Sequence, residues 1–262
     1  MERTEALKNY YETHEENSRL RSRHGSVEFL TTVNYVEKYL KSGMKILEIG
    51  AGTGIYSHYF AQNGYEVDAV EIMDCNIGVF KKNTVPGEKV TITQGDAIDL
   101  SGFDDGVYDI TLLLGPMYHL YTEEDKHSAL REAIRVTKHG GVVFVSYCNN
   151  DMTVYGFLFG REGIKDSSLH ELIDFQTFAL SSTPKEVFSL YRKEDADALI
   201  KDFKVTRLHY VGTDMLTRFI KDAVDGMDDN TFDIYLKYHL SICERPDMAG
   251  ATSHMLDILR KD

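Results

Sequence analysis

Met44-Lys45-Ile46-Leu47-Glu48-Ile49-Gly50-Ala51-Gly52-Thr53-Gly54 decides how the rest of this chain is read. Met44 to Ile49 is a short apolar run that reads as a buried strand, and helical spacing begins at Gly54. The glycines sit where strand hands over to helix, where they let the backbone turn sharply and approach a ligand closely. A dinucleotide-binding G-x-G-x-x-G would need glycine at position 55, which is Ile55, and a P-loop would need a following lysine, which is missing. The spacing is E-x-G-x-G-x-G.

Outward from this turn, strand and helix patterns alternate. Ile55, Tyr59 and Phe60 lie at helical spacing up to Gly64, which stands where a helix-ending glycine belongs. Tyr65–Ile72, Lys89–Thr93, Val107–Leu114 and Val142–Tyr147 read as further strands, with a helix over Asp74–Lys82. Thr122–Lys138 is the clearest helix: Thr122 and Asp125 form a capping-box-like start, and His139-Gly140-Gly141 is expected to stop it. Continuous apolar strands alternating with helices predict a parallel sheet covered on both faces. Beyond Tyr147 the pattern changes. Residues 151–201 are expected to form a cap inserted between sheet strands, and 203–211 and 255–259 to return to the sheet. Residues 214–245 read as a helical excursion and 1–43 as N-terminal helices or a lid. The core would then comprise 44–150 and 202–262.

The glycine turn resembles the first motif of the class I S-adenosylmethionine-dependent methyltransferases. The resemblance covers 44–147 well and 255–260 loosely. It implies an α/β fold, Rossmann-like and doubly wound, with a mostly parallel seven-stranded sheet, helices on both faces and a helical cap insertion. It also implies S-adenosyl-L-methionine as cofactor and S-adenosyl-L-homocysteine as product. Glu48, Gly50, Ala51, Gly52 and Gly54 would form the turn under the methionine part. Glu71, 21 residues after Gly50, ends the second strand, where a carboxylate accepts from both ribose hydroxyls. Ile72 adjoins it. Asp96, in Gly95-Asp96-Ala97, resembles the acid that meets the adenine amino group. Leu114, ending the fourth strand in Leu114-Gly115-Pro116-Met117-Tyr118-His119, stands where the family places cofactor and substrate contacts. Arg135-Val136-Thr137-Lys138-His139-Gly140-Gly141 resembles the family's R-V-L-K-P-G-G run, with His139 replacing proline.

A sulfonium methyl is already activated, so the protein has to align the acceptor and exclude water. If the acceptor must lose a proton, His119 and Tyr118 are the candidate catalytic residues; packing under the cap is the other reading. Tyr10 and Tyr11 are candidates for a lid over the cofactor. Arg19, Arg21, Arg23 and His24 form a cationic cluster, from which Arg23 is the candidate partner of the cofactor carboxylate. The cap aromatics Tyr155, Phe157, Phe159, Phe175 and Phe178 either line an acceptor pocket or form the cap's own core.

The chain has 262 residues and a net charge of −13, and its pI is near 5.2. Such a surface repels phosphate backbones and disfavours nucleic-acid substrates. An amine acceptor before Pro116 and a cysteine after a proline, the marks of adenine-N and cytosine-C5 enzymes, are both missing. Cys75, Cys148 and Cys243 form no C-x-x-C pair, so no metal site is expected. No leader-like or membrane-spanning apolar run occurs, which reads as a soluble, cytoplasmic protein, monomer or homodimer. The expected function is methyl transfer to an oxygen or nitrogen of a small molecule. A protein- or RNA-directed methyltransferase and a non-catalytic S-adenosylmethionine-binding protein are the alternatives.

Overall fold

The computed structural model describes residues 3–13, 20–248 and 250–262. Five strands come first along the chain: β1 (Lys45–Ile49), β2 (Glu66–Glu71), β3 (Val90–Gln94), β4 (Tyr108–Leu113) and β5 (Thr137–Asn149). A two-residue β6 (Leu190–Tyr191), then β7 (Val205–Gly212) and β8 (His254–Lys261), complete the sheet. The order is β3-β2-β1-β4-β5-β8-β7, with β6 beside the end of β5. All pairings are parallel except those of β8, which runs antiparallel between β5 and β7.

Both faces of the strands are apolar, so successive residues enter opposite layers. Leu47, Ile49, Leu113, Val143 and Val145 pack with Leu130 and Ala133 of the helix Glu123–Val136. Ile46, Ile110, Leu112 and Phe144 pack on the other face with Phe60 and Val36. Thr122 caps the helix that follows it by accepting from the Asp125 amide at 3.1 Å. That helix ends at Val136, earlier than the expected stop, because β5 begins at once with Thr137 opposite Tyr108. The ladder then slips, resuming at Ile110–Val142, and Gly140 at φ +76° accommodates the excess residues.

After β5 the chain enters the segment expected as a cap. It consists of a helical turn Asn150–Thr153, a π-helical turn Val154–Phe159 and short 3₁₀ pieces, rather than regular helices. Val154, Leu158 and Ile173 form its small core, with Phe178 beside them. Tyr155, Phe159 and Phe175 point to solvent. Residues 190–200, expected within the cap, contribute to the main body: β6 pairs with β5, and Ala196 and Leu199 of the helix Lys193–Ile200 join the sheet's core.

An ion pair with a fully buried carboxylate locks the antiparallel edge. Asp257 on β8 accepts from Nε and Nη2 of Arg207 on β7, both at 2.7 Å, and Asp197 holds the remaining guanidinium nitrogen. Removing Arg207 strands the Asp257 carboxylate in the interior, which is far more costly than never having had the pair. Arg207→Ala should therefore lower unfolding stability by about 3 kcal/mol in chemical denaturation. A loss below about 1 kcal/mol would show that β7 and β8 are held by packing alone.

Candidate active site

The glycine turn is built by two constraints. The amides of Gly50 and Ala51 both donate to the Val70 carbonyl, at 2.8 and 3.0 Å, which ties the end of β1 to β2. Gly50 adopts φ +74°, and a Cβ there would lie 2.6 Å from Cδ of Pro116, so no other residue fits between the β1 and β4 loops. Gly52, at φ +55°, faces the opposite situation: no atom lies within 4 Å of where its Cβ would stand. Its amide donates to Oε2 of Glu71 at 2.8 Å, while Oε1 accepts from the Met73 amide (2.9 Å) and Asn76 (3.3 Å). Burial pushes the Glu71 carboxyl above its ordinary range against these donors. Burial likewise pushes Glu48 up to about 8, opposed by its bond from the Ser57 hydroxyl.

These groups open onto a cavity of about 940 Å³. Glu48, Gly50, Ala51, Gly52, Glu71, Ile72, Asp96, Ala97, Leu114, Tyr118, His119 and Tyr11 all line it. Two expected residues do not. Gly54 caps the helix Ile55–Gln62 at φ +87° and faces Phe80 and His58. Arg23 binds Asp229 at 2.9 Å, with its guanidinium 5.0 Å from the Phe232 ring centre. It begins the helix Arg23–Glu37 and faces the acidic start of the helix Asp229–Ile242, while the next residue, His24, turns toward the cavity. Arg19 lies outside the described residues.

Tyr10 and Tyr11, on the helix Arg3–Thr13, roof the cavity. The Tyr10 ring meets Phe188 at 5.3 Å, and the Tyr11 hydroxyl lies 3.0 Å from Nε2 of His119. Nδ1 of His119 faces the Val187 carbonyl at 2.9 Å, so it carries the proton and Nε2 accepts from Tyr11. Burial depresses the imidazole to about 4. Tyr118 shares a hydrogen bond with Ser146. Arg3 reaches Asp96 from the same N-terminal helix.

The sequence reading missed a second polar group in this cavity. Glu28, Asp214 and His254 line it from three separate segments. Nδ1 of His254 lies 3.1 Å from Asp214 Oδ2 and 3.3 Å from Glu28 Oε2. Burial opposes the charge on His254, but the two carboxylates outweigh it and hold the ring well above its ordinary value. Burial of Asp214 is in turn outweighed by His254, Thr252 and backbone donors, which leave it at about 2. Nothing in the local sequence signals this group, because only the β5–β8 register and the β7 terminus bring it together.

The frame of carboxylates, glycine cradle and apolar Ile72, Ala97 and Leu114 fits an adenosyl cofactor: Glu71 for ribose hydroxyls, the apolar residues for the faces of a base. The profile of the methyltransferase domain family matches residues 47–145, which span this frame from β1 to β5. Residues 47–145 of this chain are a methyltransferase domain, of the kind that the class I S-adenosylmethionine-dependent resemblance implies. The chain is 26% identical over 173 residues to a ubiquinone biosynthesis O-methyltransferase of Stutzerimonas stutzeri, covering 65% of this chain and 71% of that one. A Pseudomonas aeruginosa protein of the same name is 30% identical over 149 residues, covering 56% of this chain and 63% of its own, just under two thirds. A Pyrococcus horikoshii crystal structure shares the fold across 97% of this chain and 99% of its own, with a TM-score of 0.64 at 17% identity. A Methanosarcina mazei S-adenosylmethionine-dependent methyltransferase covers 87% and 96%, at TM-score 0.58 and 16% identity. S-adenosylmethionine is the cofactor of this methyltransferase.

Two outcomes test this geometry. Glu71→Ala should weaken calorimetric binding of S-adenosylhomocysteine by about 1–3 kcal/mol, since the variant loses both a hydroxyl acceptor and the brace on Gly52. Unchanged affinity would remove Glu71 from the site. The second concerns acid stability. His119 and His239 are both held near 4 by burial, whereas the unfolded chain titrates them near 6.5. Between those values the unfolded state binds protons that the folded state refuses, so stability falls as pH drops through this window, by up to about 3 kcal/mol per histidine. Melting curves from pH 7 to 4 should show that decline, and His119→Gln should flatten it; equal slopes would refute it.

Proposed function

We propose that this methyltransferase transfers the methyl group to an oxygen of a small hydroxylated molecule with a largely apolar body. The observation that carries this reading is the continuity of the cavity. It runs from the glycine cradle into a lobe walled by Met152, Leu158, Leu172, Ile173, Phe188 and Leu190, beneath the tyrosine roof. The lobe's walls are mainly aliphatic; of the five cap aromatics considered from sequence, only Phe157 reaches it. Apolar walls with a few convergent polar groups suit a compact organic acceptor better than an extended polymer. The names of the Stutzerimonas and Pseudomonas relatives support oxygen as the methylated atom. Among the described residues no helix is long and apolar enough to cross a membrane.

The cofactor, when bound, supplies a methyl group that needs no further activation. The chain's part is to align the acceptor oxygen, exclude water and take up the hydroxyl proton. Burial, which depresses His119 to about 4, leaves it a weak base, and its Nε2 is engaged by Tyr11, so in this reading it pins the roof rather than abstracts the proton. Tyr118 forms the wall between His119 and His254, 5.8 Å from the latter ring.

Labelled S-adenosylmethionine offered with catechol-type, simple phenolic and amine acceptors should label the hydroxylated aromatics first. Exclusive labelling of amines would overturn oxygen transfer. Labelling of a protein or RNA fraction, with no small acceptor used, would favour a macromolecular substrate.

A further inference from the structure

Within the oxygen-transfer reading proposed above, we infer that the acceptor also carries a carboxylate, bound by Arg161 and Arg218 where the cavity opens to solvent. The two arginines come from segments that abut. Arg161 follows the π-helical turn Val154–Phe159, its amide bonded to the Phe157 carbonyl at 3.3 Å, and Arg218 lies in the 3₁₀ segment Met215–Ile220. The Phe219 ring joins the two segments: it meets the Tyr155 ring at 5.6 Å, and a Cβ on Gly156 would lie 3.4 Å from its Cζ. Both arginines are exposed and both line the cavity, as do Phe157 and Phe219. An acceptor reaching outward from the apolar lobe would therefore run along aromatic surface and meet the guanidinium groups at the rim.

The other basic groups lining the cavity are engaged. Arg3 holds Asp96, His24 holds Asp225 at 2.7 Å, and His254 lies against both Asp214 and Glu28. His119 is held by Tyr11 and the Val187 carbonyl. Arg161 and Arg218 hold no carboxylate among the described residues. Elsewhere Arg23, Arg135, Arg192 and Arg207 each take an acid, in a chain with 42 acidic residues against 29 lysines and arginines. Two guanidinium groups without an acid, at the rim of one cavity, are placed for an incoming anion. A net charge of −13 repels anions at long range, so a preference for one has to come from these local groups. Glu28, Glu48, Glu71, Asp96, Asp214 and Glu186 also line the cavity. A singly charged carboxylate meets less repulsion from them than a phosphate does, and its planar fork matches a guanidinium group.

Dihydrocaffeate, its neutral amide and dopamine are matched probes, sharing a hydroxylated ring and differing in charge at the far end. Titrated calorimetrically into the protein loaded with S-adenosylhomocysteine, the acid should bind about 10-fold more tightly than the amide, the scale of one charge-assisted pair. Assays with labelled S-adenosylmethionine should show the same preference in KM with kcat little changed, since the arginines act on the end of the molecule that does not react. Arg161→Gln and Arg218→Gln should each reduce the acid-to-amide ratio, and the double variant should bring acid and amide level. A folding defect would weaken both probes together and keep the ratio. Arg218→Glu should turn the preference toward dopamine. The inference is overturned if wild type binds acid and amide alike, or if the preference survives in the double variant. Methylation of both probes at equal KM would overturn it and leave the oxygen-transfer reading standing. Arginine-dependent binding of the acid, with no methyl passed to its oxygens, would support the carboxylate site and sink oxygen transfer. If none of the three probes binds, both readings fall.

Discussion

The carboxylate of Glu71 reaches from the end of β2 to the amide of Gly52, and the cofactor half of the molecule depends on that reach. Three donors converge on it, and burial sets its charge against the loss of water. The brace is productive only because Gly50 lets the β1 loop lie against Pro116 while Gly52 leaves its own side-chain space open. One glycine is required by crowding, and the other by its left-handed φ of +55° beside open space.

The two halves of the cavity are built in different ways. Glu48 and Glu71 lie at the carboxyl ends of β1 and β2 and Asp96 just after β3, so each is placed by its own strand–loop unit and by the parallel ladder that aligns the strand ends. Glu28, Cys148, Asp214 and His254 come from distant segments, joined by the antiparallel pairing of β8 and by the packing of the second helix. The first arrangement is a local property repeated along the chain. The second is a property of topology.

That contrast explains how much of the molecule was legible in its sequence. Strand periodicity and the E-x-G-x-G-x-G spacing located the sheet and the frame around the adenosyl site, because both depend on neighbours within a few residues. Arg23 does not line the cavity: its helix was readable, but the face it presents is chosen by Asp229 and Phe232, more than two hundred residues away. The cap aromatics were ambiguous for a related reason. The π-helical turn at 154–159 buries Val154 and Leu158 and turns Tyr155 and Phe159 outward, and which pair faces inward is set by packing against the distant Ile173 rather than by the spacing itself. The Glu28 cluster had no local signature at all.

The position of β8 bears on the order in which the molecule is completed. β7 is made more than forty residues earlier, yet its partner in the sheet is β8, which sits between it and β5. Until β8 inserts, β7 has no ladder to join, and β5 exposes an apolar edge. The parallel strands β1 to β5 can assemble as they emerge, whereas β7 and the Arg207–Asp257 lock must wait for a long-range closure. The late-formed edge is also the one that carries His254. Assembly of this enzyme would thus pass through a form with its glycine cradle in place and the His254 side of its cavity still missing, so one end of the cavity matures before the other.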